Sequence, residues 1–151
     1  MNLFLLSFEC IIDLIGSDFM KKIEVSAALI VNEEKEILCT KRLGGEFDGM
    51  WEFPGGKIEN GEDGRAAVIR EIKEELSVDI AVDVYFTTIT YQYASFHLTM
   101  HLYFSSIING ELTLNEHSDA TWSSVDKMDN LNWVPADVQI IELLKDSSYL
   151  Q

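Results

Sequence analysis

The feature that most constrains this chain is the stretch from Gly56 to Val78, GKIENGEDGRAAVIREIKEELSV, a glycine-bearing loop that runs into a strongly helical segment. From Glu62 to Leu76 the spacing predicts a helix with Ala66, Ile69, Ile72 and Leu76 on its core face. At 100° per residue, Glu71, Glu74 and Glu75 fall within an arc of about 100° opposite that stripe, so three carboxylates are expected to crowd one exposed face. Like charges that close repel unless a counter-ion joins them, and a helix built only for stability would interleave lysines at i+4. A hard divalent cation such as Mg²⁺ or Mn²⁺ satisfies an all-oxygen cluster, and such ions ordinarily serve a phosphate-bearing substrate.

The overall charge agrees. Asp and Glu number 26 against 11 Lys and Arg, a net charge of −15. That field repels a nucleic-acid backbone, so no nucleic-acid partner is expected, and a polyphosphate could bind only with divalent cations. A length of 151 residues suits one domain with one main core.

Along the chain, Lys22–Val31 and Glu36–Arg42 read as strands joined by a polar turn, and together as a hairpin. Leu43–Met50 is a glycine-rich loop, Trp51–Lys57 a short segment ending in the glycine pair, and Ala81–Tyr93 and Phe96–Ile107 two long aromatic and β-branched strands. A further strand is expected over Ala120–Val125. Pro135 opens a last helix to Lys145, with Val138, Ile141 and Leu143 or Leu144 inward. The order predicts a layered α+β domain with a mixed sheet between helices.

The spacing Gly56, Glu62, Arg70, Glu71, Glu74, Glu75, with apolar Ile72, Leu76 and Val78, resembles the signature box of the Nudix hydrolase family. Chance agreement at those positions somewhere in the chain is on the order of 1 in 10⁵. One position departs: the glycine that usually ends the box helix is Ser77 here, which bears on the local turn more than on the carboxylates. The resemblance extends over most of Met20–Lys145 through Trp51-Glu52-Phe53, Asn115-Glu116-His117 and Pro135-Ala136-Asp137. Within the family it is nearest the MutT-like nucleoside triphosphate pyrophosphohydrolases of the bacterial CTP pyrophosphohydrolase and 8-oxo-dGTP diphosphatase type.

The resemblance implies an α/β/α sandwich and a Mg²⁺ or Mn²⁺ site at Glu71, Glu74, Glu75 and the Gly55 carbonyl, with Glu116 as one more carboxylate near it. Arg70 is expected to orient a neighbouring glutamate, Glu62 to support the loop and Lys57 to neutralise phosphate. Glu71 is the first candidate for general base and Glu116 the second. Arg42, Glu52, Phe53 and Asp137 are expected to hold the base. An ionised Asp137 would only accept hydrogen bonds, which suits an exocyclic amine, whereas a protonated one could also donate and so admit 8-oxo-guanine. Trp51 and Phe53 are each open to base stacking or core filling, and His97, His101 and His117 could each touch the site but are read first as packed or surface residues. The implied reaction is hydrolysis of a (deoxy)nucleoside triphosphate, cytidine or oxidised, to monophosphate and pyrophosphate.

The alternatives are a Nudix hydrolase of ADP-ribose and a non-catalytic nucleotide-sensing module. The first usually carries a proline some 16 residues after the box, where this chain has Ala94; the second usually loses box carboxylates. Residues 1–19 are apolar but hold Glu9, Asp13 and Asp18 and no basic residue, so neither signal peptide nor membrane span is expected. They read as an extension ahead of a natural start at Met20, or as an amphipathic helix, with 20–151 as the catalytic domain. Cys10 and Cys39 lack any paired spacing, which suits a reducing cytoplasm. Homodimers are common in the family.

Overall fold

The computed structural model describes residues 20–151; the expectations for Cys10 and for residues 1–19 lie outside them. Among the described residues seven strands and two α-helices follow in order: β1 (Lys21–Ile30), β2 (Ile37–Arg42), β3 (Trp51–Glu52), β4 (Gly55–Lys57), α1 (Gly64–Leu76), β5 (Val78–Gln92), β6 (Phe96–Gly110), β7 (His117–Ser123), a 3₁₀ turn over Val125–Asn130, and α2 (Pro135–Lys145).

β1 does not form the expected hairpin with β2. Both faces of β1 are buried from Val25 to Ile30, and a strand covered on both sides belongs in the middle of a sheet. It runs parallel to β6 over ten residue pairs, from Lys21↔Phe96 to Ile30↔Ser105, and antiparallel to β4 on its other edge. With β5 hydrogen-bonded to β6, the order is β4-β1-β6-β5, a mixed sheet. β2 belongs instead to a second, antiparallel sheet, β3-β2-β7. The polar turn between β1 and β2 is real: Asn32 Oδ1 accepts the backbone N–H groups of Glu34 and Glu36. Beyond it the two strands share only the bridge Val31↔Ile37 before separating.

The alternation of β1 divides the core between two helices. Ile23, Val25, Ala27 and Leu29 pack with Ile140, Ile141 and Leu144 of α2, while Ala28 and Ile30 pack with Val68, Ile72 and Leu76 of α1. The molecule is therefore the expected α/β/α sandwich. The inward face of α2 is Ile140, Ile141 and Leu144; Val138 and Leu143 face out at 50% and 41% exposure.

α1 begins two residues later than expected, at Gly64, because the Asp63 side chain accepts the Ala66 N–H and caps it there. Ala67, Val68, Ile72 and Leu76 face the sheet, and Ile69 is exposed. The carboxylate arc is correspondingly rotated from the expectation: Glu71 and Glu75 are buried, and Glu74 alone of the three is open to solvent. The helix packs on β1, β4 and β5 at an angle that turns Glu71 and Glu75 toward the glycine pair and the cleft. Ser77 does what the usual glycine does. It sits at φ 59°, ψ 26° and donates its N–H to the Lys73 carbonyl. Asn115 Nδ2 donates to both Ser77 Oγ (2.9 Å) and the Glu74 carbonyl (2.9 Å), tying the strained turn to the loop before β7.

Candidate active site

The two glycines of β4 bring α1 against the sheet. A side chain on Gly55 would overlap the Ser26 carbonyl and Ala27, both backbone, and one on Gly56 would overlap the Glu71 carboxylate. Gly56 is thus the cradle of Glu71. Arg70 organises the outer side: its guanidinium grips Glu62 through two bonds (2.7 and 2.8 Å), donates to the Lys57 carbonyl (3.0 Å) and Glu71 Oε1 (3.0 Å), and lies 3.3 Å from Glu74 Oε1. This pairing pulls the Glu62 carboxyl down to about 2. Burial pushes the Glu71 carboxyl up, against the pull of Arg70.

Glu75 points the other way, into a cavity of about 260 Å³. Its carboxyl is pushed well above the ordinary range, first by burial and then by Glu52, Glu71 and Glu116. Glu75 Oε2 is buried and has no hydrogen-bond partner among the described residues. Glu116, in the loop before β7, reaches the same cavity. Among the described residues no three carboxylate, histidine or cysteine side chains already stand together as a metal cage.

The smaller sheet builds the opposite wall. Arg42 of β2, Glu52 of β3 and His117 of β7 form a chain in which Arg42 Nη1 donates to Glu52 Oε1 (2.9 Å) and His117 Nε2 meets Glu52 Oε2 (3.0 Å). His117 Nε2 is also 3.8 Å from Glu75 Oε1. Beside this wall, Asp137 in the first turn of α2 accepts the Phe53 N–H at Oδ2 (2.9 Å). Asp137 is 1% exposed, and burial pushes its carboxyl up to about 8. Of the two forms considered from sequence, burial favours the protonated, donor-competent one, because the energy of burying the charge exceeds the help from one N–H. Phe53 is buried against Trp133, ring centroids 4.7 Å apart, and lines the cavity; Trp51 does not line it and carries Lys41 Nζ over its ring.

A family model described as the NUDIX domain matches residues 20–144. The chain belongs to the Nudix family. Among curated relatives, the CTP pyrophosphohydrolase of Escherichia coli (strain K12) is 32% identical over 123 residues, 82% of this chain and 91% of that protein. The 8-oxo-dGTP diphosphatase of the same organism is 32% identical over 127 residues, 83% of this chain and 98% of that protein. Among solved structures, the E. coli ORF135 protein matches with a TM-score of 0.73 at 31% identity, over 84% of this chain and 91% of that one. The MutT protein of Methanosarcina mazei Go1, at 22% identity and a TM-score of 0.76, shares the fold over 87% of this chain and 99% of that one.

In this Nudix domain the residues singled out from sequence separate into two sets. Arg42, Glu52, Phe53, Gly55, Glu75, Glu116 and Asp137 line one cavity. Arg70, Glu71, Glu74 and Lys57 stand behind or beside Gly56, outside the cavity wall, joined through Arg70. Of the histidines, His97 pairs with Gln92 and His101 with Thr88 and Glu24, away from the cavity, as expected. His117 is packed, and it is also the one histidine of the three that lines the cavity. Its signal was available, since it follows Glu116 directly and opens a strand. Sequence reading also missed Ser26 and Tyr93 on the cavity wall; Ser26 is the one polar residue in the buried run of β1. Among the described residues no helix is long and apolar enough to cross a membrane.

Proposed function

We propose that this Nudix hydrolase converts a nucleoside or deoxynucleoside triphosphate to the monophosphate and pyrophosphate, acting on cytidine or oxidised and otherwise modified nucleotides to clear them from the precursor pool. The observation that carries the reading is one cavity lined both by carboxylates, Glu75 and Glu116, and by a polar and aromatic corner, Phe53 and Asp137. The names of the two E. coli relatives support the substrate class.

Nudix hydrolases generally need divalent metal ions. The residues here fit one: the donors are hard oxygens, Glu75 Oε2 is buried without a partner among the described residues, and Gly56 leaves room only for the Glu71 carboxylate. Glu71, Glu74, Glu75 and the Gly55 carbonyl, joined by Glu116, would hold Mg²⁺ or Mn²⁺. Such an ion, when bound, neutralises polyphosphate charge and makes a water more acidic. Arg70 holds Glu71 in place, and Glu71 accepts the proton of the attacking water, with Glu116 the second candidate. Lys57 supplies positive charge to the phosphates. Arg42, Glu52, Phe53 and Asp137 seat the base; a neutral Asp137 can donate to a carbonyl as well as accept, so it admits oxidised guanine beside cytosine.

Substrate and product are free nucleotides, so the enzyme needs no nucleic-acid or membrane partner; we place it in the cytoplasm, where the buried thiol of Cys39 stays reduced, and as a homodimer. The test is product chromatography with Mg²⁺ on CTP, dCTP, 5-methyl-dCTP, dGTP, 8-oxo-dGTP and ADP-ribose. Monophosphate plus pyrophosphate from a cytidine or oxidised triphosphate is expected. Cleavage of ADP-ribose alone, or tight binding with no product, overturns the reading.

A further inference from the structure

The proposed reaction assigns no task to His117, yet its side chain is only 3% exposed and its Nε2 faces two carboxylates, Glu52 Oε2 at 3.0 Å and Glu75 Oε1 at 3.8 Å. A bare lone pair pointed at two carboxylates would be repelled by both, so Nε2 carries the hydrogen and donates it to the nearer, Glu52. Nδ1 is buried with no partner among the described residues, so the ring is held in the site by the Nε2 contacts and by packing. Glu52 in turn is fastened on its other oxygen by Arg42.

The three residues come from the three strands of one small sheet, in the order Glu52, Arg42, His117 across β3-β2-β7, with Arg42 and His117 as register partners. A buried charged chain of this kind is seldom a net source of stability, because desolvation offsets the attraction. What it does is restrict Glu52 to one rotamer between two donors. Were His117 absent, Glu52 Oε2 would be a half-buried acceptor without its donor and the carboxylate would be free to swing toward water or toward Glu75.

We propose that His117 is a positioning residue for substrate selection: its Nε2–H locks Glu52 against Arg42 and so shapes the wall on which the nucleobase is seated. The inference rests on the triphosphate reading above and goes further by assigning a residue to it that touches no reacting atom. Because Glu52 and Arg42 lie beside Phe53 and Asp137, and not with Arg70 and Glu71, loss of the lock acts on binding more than on the chemical step.

The decisive experiment compares His117→Leu with His117→Gln, in the full-length protein, on the triphosphate that the wild type hydrolyses best. A glutamine amide can place its N–H close to the position of Nε2, whereas leucine fills the space without a donor. For His117→Leu we expect KM to rise about tenfold, the scale of losing one charge-assisted hydrogen bond at a half-buried acceptor, with kcat changed less than about threefold. His117→Gln is expected to recover most of that KM. In Glu52→Gln, His117→Leu should add little further, since the carboxylate it holds is gone. Equal KM in His117→Leu and wild type overturns the proposal. So does a fall in kcat with a raised Mg²⁺ requirement and unchanged KM, which would put His117 in the service of Glu75. Equal damage in both variants with a matching drop in Tm assigns it to packing alone. A wild type that hydrolyses none of the triphosphates is a different result: it removes the functional reading itself.

Discussion

The two sides of the cleft are built by opposite means. The acidic side is largely local: Arg70, Glu71, Glu74 and Glu75 lie within six consecutive residues of α1, and the β4 glycines, Lys57 and Glu62 that support them precede the helix closely, with Glu116 alone coming from a distant loop. The base side is assembled from β2, β3, β7 and α2, and its key bond, Phe53 N–H to Asp137, spans 84 residues of sequence. The acidic side can therefore be damaged by changes in one helix or its cradle, whereas the base side depends on both sheets and α2 packing correctly. The contrast also separates chemistry from selection, since the groups proposed to act on phosphate are local and those proposed to read the base are not.

Several substitutions test that separation, the largest effect first. Glu75→Gln keeps shape and removes the charge at the buried end of α1; Mg²⁺-dependent kcat should fall by about a hundredfold or more, with the fold intact by circular dichroism. A variant with full turnover would remove Glu75 from the metal site, and the same holds for Glu74→Gln.

The glycine pair sharpens the comparison within β4. Gly55→Ala drives a methyl into the β1 backbone, which cannot yield, so it should lose about 2–3 kcal/mol in denaturant unfolding. Gly56→Ala meets only the end of the Glu71 side chain, which can move. It should lose under about 1 kcal/mol while turnover drops about tenfold or more. Equal stability losses in the two variants would show that β4 is not divided in this way.

On the base side, Asp137 has a folded-state carboxyl near 8 against an ordinary 3.8. The folded chain therefore binds a proton that the unfolded chain has released, and this group lowers stability as pH rises from about 4 to about 8, by at most about 1.4 kcal/mol per pH unit. Asparagine is neutral at every pH. The Tm of Asp137→Asn relative to wild type should thus climb between pH 5 and pH 8; a constant difference would mean that the carboxyl is ionised throughout. Ser77→Gly should show the smallest effect. It relieves a left-handed serine but loses the bond from Asn115, so stability should stay within about 1 kcal/mol of wild type.

How far each region was legible follows from the same contrast. The box spacing pointed to the family, the helix and its carboxylates before any coordinate was needed. Yet it turned the carboxylate face to solvent, because helical periodicity gives angles between side chains but not the angle at which the helix meets its sheet. Burial of Glu71 and Glu75, and the exposure of Ile69, depend on that second angle. The hairpin expectation for β1 and β2 failed for a related reason. A short polar turn specifies that the chain reverses, while the partner of a strand is decided by which edges the whole sheet offers, here β4 and β6.

By itself, then, the sequence determined what local spacing can determine: the order of elements, the box with its intact glutamates, the helix start at Pro135, and candidate residues on both sides of the cleft. Only the tertiary structure decided which of them meet. It set the Arg42–Glu52–His117 wall, placed His117 inside the site, and buried Asp137 so deeply that its carboxyl is pushed up. Hydrogen-bond partners and desolvation belong to neighbours in space, and those neighbours come from strands and helices that nothing in a linear pattern brings together.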